Sequence, residues 1–190
     1  MTRLSSSLAK HLISTLQKAN VVKFGNFILK DGSSSTVYID LRILPNFPEE
    51  FQETISIAAD YIRENVNINS FNGIIVPPLA GIPLGVALAL ELNKEFYLAR
   101  LRAKEHGTKK IIEGNIFNKR ILLVDDVITS GESKIPFLKA IRSHGAEVNS
   151  LFVFINRMPN KENMKEFELQ NNISLSYLLS LEDLLGTIIV

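Results

Sequence analysis

Residues 120–134 read RILLVDDVITSGESK, and this stretch decides the fold. Ile121, Leu122, Leu123 and Val124 are apolar in succession, with no polar alternation. Such a run predicts a strand buried on both faces, as in a parallel sheet. Two adjacent carboxylates follow, Asp125 and Asp126, and then a small, hydroxyl-rich turn of Thr129, Ser130, Gly131, Glu132 and Ser133. Beyond it, Ile135, Leu138 and Ile141 recur at helical spacing up to Gly145. The order is strand, acidic pair, small-residue loop, helix. In an open α/β sheet that loop lies at the carboxyl end of a strand, where such folds bind ligands. Its backbone N–H groups, beside a helix N-terminus, suit a phosphate dianion. Thr129, Ser130 and Ser133 offer hydroxyl donors, and Gly131 lets the backbone approach closely. Carboxylates repel a phosphate, so Asp125 and Asp126 must face something else. Vicinal ribose hydroxyls fit, and so does a magnesium ion. A phosphorylated sugar with a metal satisfies both halves.

The chain around this stretch has 190 residues, enough for one domain, residues 1–190, with a sizeable core. Its hydrophobic content of 46% places it among globular proteins. A net charge of +1 gives no global field that would draw nucleic acid or a membrane surface. With no cysteine there is no disulfide, thiol catalysis or cysteine metal site, which fits a cytoplasmic setting. The first residues, MTRLSSSLAKHL, lack the apolar core of a signal peptide, and no apolar run approaches transmembrane length.

Periodicity and turn residues divide the rest. Residues 5–18 predict a helix with Leu8, Leu12 and Leu16 on one face and an early serine as cap. Residues 21–40 predict a hairpin turning at Lys30-Asp31-Gly32, a small flap outside any doubly wound core. After the break at Pro45 and Pro48, residues 49–64 predict a helix with Phe51, Ile55, Ala58, Ala59 and Ile62 inward. A second buried strand, residues 73–76, ends in the tight loop Pro77-Pro78-Leu79-Ala80-Gly81 and an apolar helix, residues 82–92. Backbone N–H groups of such a loop suit a diphosphate. Residues 96–100 predict a third strand, and the polar, basic segment 102–113 reads as a lid. Its Lys104, His106, Lys109 and Lys110 suit the charge of a departing diphosphate. Residues 148–155 predict another buried strand ending at Asn156-Arg157, where an arginine can pair bidentately with a carboxylate. A surface helix over 160–172, an edge strand over 174–179 and a closing helix over 181–188 complete the chain. Alternating strands and helices predict an α/β fold, a Rossmann-like parallel sheet flanked by helices, with residues 1–45 contributing a small N-terminal hood.

VDDVITSGES closely resembles the 5-phosphoribosyl-1-diphosphate (PRPP) motif of type I phosphoribosyltransferases. The resemblance implies that fold. It also implies PRPP contacts along Asp125, Asp126, Val127, Ile128, Thr129, Ser130, Gly131, Glu132 and Ser133, with the ribose 5-phosphate on the 129–133 loop. Within that class, residues 25–38 are similar to the hood of the orotate phosphoribosyltransferases, matching at Gly25, Phe27, Leu29, Lys30, Gly32 and Tyr38. Arg100 and Ala103-Lys104-Glu105-His106-Gly107 resemble the flexible loop of that family, with Leu101 and Arg102 departing from its pattern. The loop at 77–81 matches the family's pyrophosphate loop, with Ala80 where many bacterial members carry lysine. This second resemblance implies transfer of ribose 5-phosphate from PRPP to orotate, in pyrimidine synthesis. Catalysis would fall to Lys104, His106, Asp125 and Asp126, with Arg100, Lys104 and His106 on PRPP. Lys30, Tyr38, Ile39, Thr129 and Arg157 would meet orotate. Mg2+ would be held mainly by PRPP, near Asp125 and Asp126. It further implies a homodimer whose lid lysine reaches the neighbouring site. Two other functions share the central motif: transfer to another nucleobase, and a regulatory protein that senses PRPP.

Overall fold

The computed structural model describes residues 3–28, 34–100 and 111–186. Its centre is a six-stranded sheet in the order β5-β4-β3-β6-β7-β8. These strands are β3 (Gly73–Val76), β4 (Glu95–Ala99), β5 (Ile112–Glu113), β6 (Arg120–Ile128), β7 (Glu147–Asn156) and β8 (Ser174–Ser180). All neighbours pair in parallel except β4 and β5. The apolar runs that predicted buried strands have the burial expected. All four residues of β3 are buried, as are Ile121 to Asp125 of β6. β5 is an addition: the polar composition of 102–113 hides a two-residue antiparallel strand at the sheet edge.

Alternation along the strands feeds two cores. Ile74, Val76, Leu122 and Val124 pack on α1 (Ser6–Lys18), α2 (Pro48–Asn65), α3 (Ile82–Glu91) and α6 (Leu181–Gly186). Ile75, Ile121 and Leu123 pack on α4 (Ile135–Ser143) and α5 (Lys161–Asn171). The local signals explain the helix ends. The Ser5 hydroxyl accepts the Leu8 N–H at 3.3 Å and caps α1. Pro48 opens α2 at a first-turn position, where its missing N–H costs nothing. The Asn160 side chain accepts the Asn163 N–H at 2.8 Å and caps α5, and Ser180 accepts the Asp183 N–H at 3.2 Å to start α6.

The flap is a separate two-stranded antiparallel sheet of β1 (Val22–Ile28) and β2 (Ser34–Ile39). Its predicted turn at Lys30-Asp31-Gly32 lies outside the described residues. The buried Val22 and Val37 join the core under α1 and α2, so the hairpin base is anchored while Ile28 stays exposed.

Candidate active site

Parallel pairing brings the carboxyl ends of β3, β6 and β7 side by side, so the loops after these three strands leave from one edge. The loop after β6 is shaped by Gly131, which sits at φ +83°, a left-handed conformation that favours glycine. A Cβ there would also run into the Phe167 ring of α5. The following turn, Glu132–Lys134, closes through the Lys134 N–H to the Gly131 carbonyl at 2.9 Å and leads into α4. Thr129, Ser130 and Ser133 stand exposed on this loop, free to offer hydroxyls to a ligand. Thr129, Ser130 and Glu132 line a cleft of about 710 Å³ together with Arg157, which follows β7. The Arg157 N–H donates to the Ile128 carbonyl at 2.8 Å and ties that strand end to the loop. The structure thus joins residues 129–132 and Arg157, far apart in the chain, around one cavity.

The two carboxylates differ. Asp125 is buried and forms an ion pair with Lys134, also buried. Its Oδ1 accepts the Asp126 N–H at 2.9 Å. Asp126 is half-buried, and its carboxyl is raised to about 6, first by burial and then by the charge of Asp125. Val127 is half-buried and Ile128 fully so, and both pair with β7 in the sheet.

The loop from 77 to 81 packs directly on the acidic pair. A Cβ at Gly81 would lie 3.1 Å from Asp125 Oδ1 and 2.6 Å from Val76 Cγ1, so only glycine lets the loop come this close. Leu79 at its tip is 78% exposed. Tyr38 and Ile39 are half-buried on β2, and the Tyr38 ring lies 5.5 Å from that of Phe27. Arg100 lies at the end of β4, and its Nε and Nη2 both reach Glu113 Oε1 at 2.6 Å, next to β5. The predicted Lys30, Lys104 and His106, and the departures Leu101 and Arg102, lie outside the described residues.

Four residues escape a reading of the sequence alone. Lys134 ends the turn that leads into α4, in phase with the buried Leu138 and Ile141, and that phase was the available signal. Asp40 and Arg42 form a fork with two contacts of 2.6 Å, which holds the Asp40 carboxyl below its ordinary value. Arg42 follows closely on β2, so it lies at the base of the flap. Phe167, on a helix otherwise mostly exposed, shapes the loop through Gly131.

Among the described residues no cluster of three His, Cys, Asp or Glu side chains forms a metal cage. Asp125 is occupied by Lys134, which leaves Asp126 as the acid of the pair without that ion pair. This donor set fits a magnesium ion carried by ligand oxygens with one protein carboxylate beside it.

Sheet and loops define a class: an α/β protein whose mostly parallel sheet gathers its loops at the carboxyl edge. The sequence pattern of the phosphoribosyl transferase domain matches residues 42–174. Orotate phosphoribosyltransferase of Pyrococcus horikoshii is 39% identical over 160 residues, covering 82% of this chain and 83% of the relative. That of Halobacterium salinarum is 31% identical over 180 residues, 94% of this chain and 98% of the relative. The crystal structure of orotate phosphoribosyltransferase from Aeropyrum pernix superposes with a TM-score of 0.80 at 28% identity, over 93% of this chain and 97% of that one. The chain belongs to the orotate phosphoribosyltransferase family.

Proposed function

We propose that this protein transfers ribose 5-phosphate from PRPP to orotate, giving orotidine 5′-monophosphate and diphosphate, a step of pyrimidine nucleotide synthesis. The observation that carries this is the shared cleft: a phosphate-type loop, Thr129 and Ser130, faces the same cavity as Arg157. The loop takes the 5-phosphate, and Arg157 takes the orotate carboxylate as a charge-assisted pair. In the reaction the bond from ribose C1 to the diphosphate oxygen breaks and a bond to a ring nitrogen of orotate forms. Positive charge builds at C1 between the two. The Gly81 loop presents backbone to the departing diphosphate, and Arg100, Lys104 and His106 add cationic partners. Mg2+ would be held mainly by PRPP oxygens with Asp126 as a nearby carboxylate, and it would supply further charge neutralisation. The assignment gives contact with the base to Tyr38, Ile39 and Lys30. The whole chain acts as one phosphoribosyltransferase domain, with residues 1–45 as its hood.

The same assignment includes a cytoplasmic homodimer whose lid serves the neighbouring site. Val86 and Leu90, one turn apart on α3, and Leu79 are exposed apolar side chains that support a covered face there. Among the described residues no helix is long and apolar enough to cross a membrane.

Arg157→Ala tests the base assignment. Losing one charge-assisted hydrogen bond should raise the orotate KM by roughly 10- to 100-fold. The PRPP KM should move far less. An unmodified protein that uses uracil as well as orotate would show that Arg157 does not select the base.

A further inference from the structure

Lys134 is a buried cation that the reaction above does not use. It stands where the turn after Gly131 becomes α4, in phase with the apolar Leu138 and Ile141. A lysine on that face must bury its ammonium, and it does so against Asp125. The side chains are 9% and 8% exposed, so water screens neither charge. The pair joins the last residues of β6 to the far end of the phosphate-binding loop, closing residues 125–134 into a ring. The other oxygen of Asp125 accepts the Asp126 N–H at 2.9 Å, and Gly81 packs beside it. One carboxylate therefore touches both loops of the site. Alternation along β6 sends the neighbouring Asp126 to the opposite face of the strand.

We propose that Lys134 is a positioning residue for the sugar-phosphate site: it holds Asp125 as a buried brace between the phosphate loop and the Gly81 loop, and leaves Asp126 as the acid that meets the ribose. The two adjacent acids then have separate work, although the sequence motif treats them as a pair. This inference rests on the PRPP assignment above. The brace fixes the spacing between the loop that holds the 5-phosphate and the loop that faces the diphosphate. Loss of the ammonium leaves Asp125 as an unpaired buried charge, which is strongly destabilising. Loss of both charges leaves two neutral groups of similar size, which a protein tolerates far better.

The test compares Lys134→Met, Lys134→Arg, Asp125→Asn and the double variant Lys134→Met/Asp125→Asn, with Asp126→Asn beside them. The readouts are Tm, the PRPP Kd in Mg2+ by calorimetry, and KM for each substrate. Lys134→Met should lower Tm and weaken PRPP by roughly tenfold or more, the scale of a lost charged hydrogen bond, while the orotate KM stays within about twofold. Lys134→Arg should keep most of the PRPP affinity. The double variant should melt higher and bind PRPP more tightly than either Lys134→Met or Asp125→Asn alone. Asp126→Asn should lose PRPP affinity without losing Tm. A double variant no better than Asp125→Asn would overturn the brace, because it would mean that Asp125 meets the ribose itself. So would a Lys134→Met protein with unchanged Tm and PRPP Kd. If Lys134→Met does not fold, the comparison of Asp125→Asn with the double variant decides. PRPP binding without transfer to orotate would refute the orotate assignment and leave the brace to be judged by these Kd values.

Discussion

Asp126, the acid proposed to meet the ribose, opposes stability. Burial, and then the charge of Asp125, raise its carboxyl from an ordinary 3.8 to about 6. The folded protein therefore holds a proton there more tightly than the unfolded chain does. Between about pH 4 and pH 6 the native state binds more protons, so this residue makes unfolding easier as pH rises through that window. Above pH 6 the full cost is present, on the order of 1–3 kcal/mol for a difference of this size. Asp126→Asn should thus stabilise the ligand-free protein by that order at pH 7, and the gain should fade towards pH 4. Denaturant unfolding at the two pH values measures it. A variant that is less stable than the parent at pH 7 would show that the carboxylate is not held at a cost. The same substitution should weaken PRPP, since a carboxylate accepts both ribose hydroxyls and an amide cannot replace it fully.

The β6-loop-α4 element carries the site. Its strand and helix were legible because each obeys a simple period: four apolar residues for a strand buried on both faces, and Ile135, Leu138 and Ile141 for the helix. The loop was legible because its residue types match what a phosphate needs. What links it to its surroundings was not. Phe167 comes from a helix more than thirty residues on, and nothing local announces that its ring covers Gly131. Lys134 was hidden differently: a charge on an apolar face looks like an exception until its partner is seen. Likewise β5 is two residues long, too short for any period, and exists because β4 offers it a free edge. Gly131→Ala measures the loop. Forcing a Cβ into the left-handed region costs on the order of 1–3 kcal/mol, and displacing the Phe167 ring adds to it. The variant should melt lower and bind PRPP at least tenfold more weakly by the same energy scale. Unchanged PRPP affinity would mean that the loop does not hold the 5-phosphate.

At the scale of the molecule, two cores on either side of one sheet hold three loops at a common edge. The layered order of strands and helices followed from composition and period, and the flap followed from a hairpin pattern that does not fit a doubly wound core. The convergence of residues 129–132 with Arg157 needed the tertiary structure, because strand order, not sequence distance, puts β6 next to β7. Under the proposed function, that convergence would pair a sugar phosphate with a base that carries a carboxylate. The most direct measurement mixes the purified protein with PRPP and Mg2+ and supplies orotate, uracil, adenine or hypoxanthine in separate reactions. Diphosphate release and nucleotide formation are followed in each. Orotate should be consumed with stoichiometric diphosphate and orotidine 5′-monophosphate, and the other bases should react slowly or not at all. Turnover with a purine base and none with orotate, or PRPP binding with no transfer to any base, would contradict the proposed activity.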